Sequence, residues 1–379
     1  MINHSLFPVP SYILDEAKLR QNLELMKHVQ TEAGIDIIVA LKGYSMWSTF
    51  PMLRQYLKGA TASSINEARL CYEEMGSGAH TYMAAYIPRE FEEVMGYSSH
   101  ITFNSVQQYQ RFKDQVAAFP KKISCGIRVN PEYSEVETAL YNPCAPGSRL
   151  GTTIENFEGK MPEGVEGLHF HALCESSSYD LEKVLVSFEE RFGQWLPKLK
   201  WVNMGGGHLM TKRGYDVAHL ITVLKAFKAR YPNLKVTLEP GSAVGWQTGD
   251  LSATVLDIVD NKGVKTIMLD VSFTAHMPDC LEMPYRPTIT GASDVVEGKP
   301  TYRIGGMSCL SGDFMDEYSF EQAVQIGDLM IFEDMIHYTM VKTTTFNGIG
   351  HPSICIQKED GTAQVVRTFG YEDYKNRLS

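Results

Sequence analysis

The chain is short of the features that mark several large protein classes. No uncharged apolar run approaches the ~18 residues that a membrane-spanning helix needs. The opening MINHSLFPVPSYILDEAKLRQ has no basic stretch followed by an apolar one, so a secretory leader is not expected. Cysteine is sparse and odd in number, seven in 379 residues, and no two stand as Cys-x-x-Cys. A disulfide framework and a structural zinc site are therefore not expected, and no metal is. Positive charge is in deficit: 35 Lys and Arg face 45 Asp and Glu, for a net charge of -10. A nucleic-acid protein would carry a basic stripe instead. There is no internal repeat and no low-complexity segment. These absences leave a cytoplasmic globular protein that binds neither nucleic acid nor membrane. The acidity suits a cationic substrate, although solubility alone explains such a balance.

What is present is alternation. From residue 12 to about 250, short apolar or β-branched runs lead into longer amphipathic ones. The strand candidates are IDIIVALK, TASS, HTYMAA, HITFN, KISCGIRVN, VEGLHFHAL, LKWVNMGGG and LKVTLEPG, each followed by a helix or by a loop in its place. Asp15 suits a helix N-cap, Gly34 a helix stop and Pro88 a first helical turn. Eight such units predict an α/β chain with a (β/α)8 TIM barrel over residues 14–250. The one interruption, 131–164, is long and rich in Pro and Gly. A loop of that length on the face where barrels carry out chemistry reads as functional. Beyond 250 the runs are strand-like, with turn signals at NKG and EDG. Residues 251–379 are expected to form a β-rich domain, sandwich-like or barrel-like, joined by the N-terminal strand within residues 1–13.

The ends of four barrel strands carry unusual residues. The first ends in Lys42, the sixth in HFHALCE, the seventh in Gly205, Gly206 and Gly207, and the eighth in Glu239-Pro240-Gly241. Each has an ordinary alternative. Lys42 alone reads as a solvated or ion-paired lysine, and His171 alone as a hydrogen-bonded core histidine. A triple glycine is often only a tight turn, yet it bares backbone N–H groups that cradle a phosphate, and barrels commonly place a phosphate after strands 7 and 8.

Together the four ends fit pyridoxal phosphate (PLP). A lysine holds the aldehyde as a Schiff base. The glycine turn takes the phosphate, an aromatic such as His171 stacks on the ring, and Glu239 pairs with the ring nitrogen. A protonated ring is the stronger electron sink.

The set VALKGYS, GLHFHALCE, NMGGGH, LEPGSAVG, GMSCLSGD and EDMIHYTMVKTTTFNG resembles the alanine-racemase-fold, or fold type III, PLP decarboxylases, in order and over nearly the whole chain. Members act on ornithine, arginine, diaminopimelate and carboxynorspermidine. IRVNPEYS, YNPC, SRLG and HMPDCLEMPYRP resemble the branch acting on carboxynorspermidine and carboxyspermidine. The resemblance implies Lys42 as the PLP lysine, His171 on the ring, Gly205 to Gly207 and Tyr338 at the phosphate, and Glu239 at the pyridine nitrogen. It implies Cys309 as the proton donor to Cα, delivered from the second subunit of a homodimer. Where many relatives place an arginine after Glu-Pro-Gly, this chain has Ser242 behind Gly241, so Cys174 or Ser176 is expected to help at the phosphate. Ornithine and diaminopimelate enzymes carry an acid directly after the cysteine; Leu310 stands there, which counts against both substrates. The implied substrate is a polyamine with one amino-acid end. Arg149, Glu239, Asp270, His276, Asp279 and Asp313 are expected around it, with Asp316 and Glu317 close behind. The alternatives are another basic amino-acid decarboxylase, a racemase, or a non-catalytic regulator on the same fold; retention of both Lys42 and Cys309 counts against the last.

Overall fold

A computed structural model describes residues 2–136, 141–283 and 285–379. The chain divides into two compact units, one of Asn22–Val244 and one of Gly245–Ser379 with the stretch that ends at Gln21. The first strand, β1 (Ser11–Asp15), lies in the latter unit. Asp15 caps the helix that follows, Glu16–Ala33, its Oδ1 accepting from the N–H groups of Ala17 and Lys18.

Asn22–Val244 is a barrel of parallel strands. In chain order they are β2 (Asp36–Ile37), β3 (Val39–Ala40), β4 (Ala60–Ala62), β5 (Ala79–Tyr82), β6 (Ser98–Phe103), β7 (Ser124–Arg128), β8 (Val165–His169), β9 (Trp201–Asn203) and β10 (Lys235–Leu238). β2 and β3 are two halves of one interrupted strand. β2 pairs with β10 and β3 with β4, which closes the ring. Eight apolar runs thus become eight staves, as the alternation predicts.

Four of the links follow one local pattern: strand, polar cap, helix. Ser64, Ser105 and Ser177 each accept the N–H three residues ahead, and Asp216 accepts that of His219. Each such cap stabilises its helix by about 1 kcal/mol. Inside the barrel, the Trp201 ring lies over Gly126 and Gly167. A Cβ on either glycine would come within 2.2 Å or 2.0 Å of that ring. Between β7 and β8 runs the long connection, of which residues 137–140 lie outside the described residues. It contains the 3-10 turn Ile154–Phe157.

The other unit is a mixed sheet. Its strands after β1 are β11 (Gly249–Asn261), β12 (Val264–Leu269), β13 (Ala292–Ser293), β14 (Thr301–Gly305), β15 (Phe314–Phe320), β16 (Leu329–Phe332), β17 (Ser353–Gln357) and β18 (Ala363–Arg367). β11 and β12 form a hairpin turned at Lys262 and Gly263, both at positive φ, as a tight two-residue hairpin turn requires. β1 fills the place between β11, antiparallel to it, and β17, parallel to it. No helix among the described residues is long and apolar enough to cross a membrane.

Candidate active site

The barrel gathers its unusual strand ends because closure brings the first stave beside the last. Ala40 N–H donates to Pro240 O at 3.0 Å. Gly43 and Gly241 touch so closely that a Cβ on Gly43 would lie 2.9 Å from the Gly241 Cα. Lys42 and Glu239 are thereby neighbours across the seam. Lys42 is accessible, while Glu239 is only 7 % exposed.

Their electrostatics oppose one another. Desolvation, and then the Arg128 guanidinium, pull the Lys42 ammonium below its ordinary range; Glu239 pulls the other way. A less basic lysine is more often the neutral amine that attacks a carbonyl. Burial pushes the Glu239 carboxyl up, against the Asn203 hydrogen bond and the charges of Lys42 and Arg128. Asn203 Nδ2 donates to Glu239 Oε1 at 2.5 Å, and Asn203 Oδ1 accepts from Gly205 N–H at 2.9 Å.

The glycine turn is dictated by backbone crowding. A Cβ on Gly205 would lie 2.4 Å from Phe170 O, one on Gly206 2.5 Å from Glu239 O, and one on Gly207 2.2 Å from Leu173 O. Gly206 N–H donates to His171 Nδ1 at 2.8 Å. That bond leaves the ring proton on Nε2, and burial holds the His171 pKa well below its usual value. The ring is a neutral, flat aromatic at the mouth of the barrel. Beside the turn, Cys174 N–H donates to Ser176 Oγ at 3.1 Å, and burial raises the Cys174 thiol.

Besides Asn203, two further residues at this end of the barrel lie outside the sequence-based expectation. Arg128, at the end of β7, is 4 % exposed, with its guanidinium 4.7 Å above the Tyr82 ring and Nη2 3.4 Å from His171 O. It forms no ion pair among the described residues. A buried cation without a carboxylate is an anion-seeking group. Its signal was a lone charge ending the apolar run ISCGI. His169 lies 3.7 Å from Glu239 Oε2, is held neutral by burial, and has no hydrogen bond on either ring nitrogen among the described residues.

Arg149 is exposed and borders a cavity of about 570 Å³, with Asn104, Asn130, Glu132, Cys144 and Asn156 among its walls.

The remaining expected residues belong to the sheet unit. Cys309 is exposed, on the loop between β14 and β15. Tyr338 opens the short helix Tyr338–Val341. Asp279 Oδ2 accepts from the Tyr285 and Thr339 hydroxyls at 2.9 and 2.7 Å, while Oδ1 is buried with no hydrogen bond among the described residues. His276 is fully buried; Nδ1 accepts from Ser272 N–H, and Nε2 is without a partner there. Asp270 and Asp313, also expected around the substrate, each accept backbone N–H groups. Asp270 Oδ1 accepts Thr254 N–H at 2.7 Å. Asp313 is buried, with Oδ1 on Thr274 N–H and Oδ2 on Ser308 N–H, both at 3.0 Å. Asp316 and Glu317 face solvent on β15.

A barrel ending in a lysine, a phosphate-sized glycine turn and a buried carboxylate, in a chain with a separate mixed sheet, has the parts of a PLP enzyme. The family profile described as pyridoxal-dependent decarboxylase, C-terminal sheet domain, matches residues 12–336, and the chain belongs to that family. It is a PLP-dependent decarboxylase of fold type III. It is 50 % identical to carboxyaminopropylagmatine decarboxylase of a Synechocystis species, over 99 % of this chain and 96 % of that one. It is 44 % identical to carboxynorspermidine/carboxyspermidine decarboxylase of Campylobacter jejuni, over 97 % and 98 %. The solved Campylobacter jejuni carboxynorspermidine decarboxylase, complexed with norspermidine, superposes with a TM-score of 0.91 at 42 % identity, covering 98 % of this chain and 100 % of that one. Diaminopimelate decarboxylase of Helicobacter pylori shares the fold, with a TM-score of 0.83 at 17 % identity.

Proposed function

We propose that the protein decarboxylates carboxynorspermidine and carboxyspermidine, giving norspermidine and spermidine in polyamine biosynthesis. The observation that carries this reading is the seam that sets Lys42 beside Glu239 and the glycine turn, in a chain matching two enzymes of that name end to end. Lys42 holds the cofactor, Gly205 to Gly207, Gly241, Cys174 and Tyr338 meet its phosphate, His171 stacks on its ring, and Glu239 meets its ring nitrogen. Asn203 holds Glu239 in place. PLP supplies the sink for the electron pair left when the carboxylate departs as carbon dioxide. Cys309 then delivers a proton to Cα. Arg128 and Arg149 offer positive charge to the substrate carboxylate, and the Asp279 oxygen that has no hydrogen bond receives a distal ammonium.

The working unit is a homodimer in which Cys309 serves the partner's site. Cys309 lies exposed beside Met307 and Leu310, each 44 % exposed, and Phe346 at 43 %. An apolar rim around a reactive thiol suits a protein contact better than water. Seven free cysteines suit the reducing cytoplasm.

A second reading has its own support in the 50 % identity to the carboxyaminopropylagmatine enzyme. An agmatine derivative keeps the amino-acid end and replaces the distal ammonium by a guanidinium. Both readings share site and chemistry and differ in the far pocket. The test is carbon dioxide release from purified protein with added PLP on carboxynorspermidine, carboxyspermidine, carboxyaminopropylagmatine and diaminopimelate. Fast release from the first two with little from the others is expected. Preference for the guanidino compound establishes the second reading, and preference for diaminopimelate overturns both.

A further inference from the structure

The loop that carries Cys309 is tied almost entirely at its base. Gly306 N–H donates to Asp313 O at 2.8 Å, and Asp313 N–H to Leu310 O at 3.0 Å. The Asp313 carboxylate takes Ser308 N–H on one oxygen and Thr274 N–H on the other. Leu310 N–H reaches back to Ser308 Oγ at 3.3 Å. Two bonds come from outside this cluster, and the first, Met307 N–H to Val271 O at 3.0 Å, lies on the rising side of the loop while the second is at the cysteine itself. Cys309 N–H donates to Asn347 Oδ1 at 2.7 Å, across 38 residues of chain.

Asn347 is shaped for that bond. It sits at φ 57° and ψ 12°, the left-handed region that asparagine enters more readily than other non-glycine residues. This conformation turns the chain within Phe346–Gly348 and lets a short side chain reach the Cys309 amide. Asn347 also lies in the segment that starts with Tyr338, so one segment carries the proposed phosphate contact and the tether of the proposed proton donor.

We propose that Asn347 is a positioning residue that fixes the Cys309 thiol for proton delivery; this rests on the proton-donor role given to Cys309 above. In that step the Cys309 S–H bond breaks and a C–H bond forms at Cα, which holds the pair left by the departing carboxylate. The thiolate regains its proton from solvent. A thiol on a loosened tip meets Cα less often. Without that proton, part of the decarboxylated product leaves as an aldehyde, its oxygen taken from water and its amino group left behind on the cofactor.

The test uses the holoenzyme and three variants: Asn347→Gly, Asn347→Asp and Cys309→Ala. Glycine keeps the left-handed backbone and removes the acceptor, so its effect is not one of folding. Asparagine-to-aspartate keeps an acceptor oxygen. Asn347→Gly is expected to lower kcat by about 10- to 100-fold, the range of a small misplacement of a reacting group, with KM changed less than about twofold. The aldehyde share of product rises, and iodoacetamide alkylates Cys309 faster in the resting enzyme. Asn347→Asp stays near wild type in all three. Wild-type kcat and product ratio in Asn347→Gly overturn the proposal, as does an Asn347→Asp as impaired as the glycine variant. Wild-type kcat in Cys309→Ala overturns the proton-donor reading itself.

Discussion

Asn203 and Glu239 form a buried pair in which both ends of the amide are used. Nδ2 holds Glu239 Oε1, and Oδ1 holds the N–H of Gly205. One side chain thus couples the carboxylate to the start of the glycine turn. Asn203→Leu removes a donor from a carboxylate and an acceptor from a buried amide. Leaving buried polar groups unpaired costs about 1–3 kcal/mol. The expected result is PLP binding weakened by about 10- to 100-fold and a Glu239 that ionises less readily. Titration of the apoenzyme with PLP, followed by cofactor absorbance, measures it. Unchanged affinity removes Asn203 from the site.

The barrel was legible because its rules are local. Each stave is an apolar run, four of the helices start at a polar cap, and Lys42, the glycines and Glu239 stand directly after strands. Arg128 and Asn203 were not legible, because their meaning is a partner elsewhere in the chain. A charge after ISCGI reads like any strand end until Tyr82 and His171 are placed beside it. β15 is hard to read in the sequence because FMDEYSF carries the exposed Asp316 and Glu317, which break the apolar run. Asp313 is expected at the substrate from its place near Cys309, and its bond from Thr274 N–H, 39 residues away, is not legible in the sequence.

Gly206 lies against both proposed cofactor contacts. An added Cβ would meet Glu239 O at 2.5 Å and His171 Cε1 at 3.3 Å. Gly206→Ala therefore pushes the turn off the carboxylate strand. PLP affinity is expected to fall by about 10-fold or more, with a loss of stability of about 1–3 kcal/mol from overpacking. Apoenzyme titration and thermal melts separate the two effects. A variant that binds PLP normally would show that the turn does not hold the phosphate.

Lys42 is the attachment point this reading requires. Borohydride treatment of the loaded enzyme is expected to fix one pyridoxyl group on the peptide that contains Lys42, detected by mass spectrometry. Lys42→Ala is expected to carry none and to lose activity by at least about 10²-fold, as removal of an essential acid–base or covalent group does. Fixation at another lysine sinks the assignment.

His276 sets part of the acid limit. Burial first, and then His351, hold it to about 4, below its ordinary 6.5. The unfolded chain binds a proton that the folded chain refuses, so its contribution is full above pH 6.5 and is withdrawn as pH falls toward 4. The total is on the order of 3 kcal/mol, at a slope of about 1.4 kcal/mol per pH unit within that window. Melting temperature is expected to drop from pH 6.5 to 4.5. His276→Gln, which keeps an acceptor for Ser272 N–H, is expected to flatten the profile. Parallel slopes for the two proteins would show that His276 does not titrate on unfolding.

Asp279 is the residue on which substrate choice is expected to turn. Its Oδ2 is held by two hydroxyls, and its Oδ1 has no hydrogen bond among the described residues. A buried carboxylate so arranged is costly unless a cation completes it. Asp279→Asn keeps the shape and removes the charge. A charge-assisted contact is worth about 1.5–3 kcal/mol, so kcat/KM for the carboxylated triamines is expected to fall by about 10- to 100-fold, mostly through KM. A substrate analogue without the distal amine has no cation to lose, and its kcat/KM is expected to be the same in wild type and variant. If both compounds lose equally, the carboxylate supports the fold of the HMPDCLEMPYRP segment and the distal amine is read elsewhere.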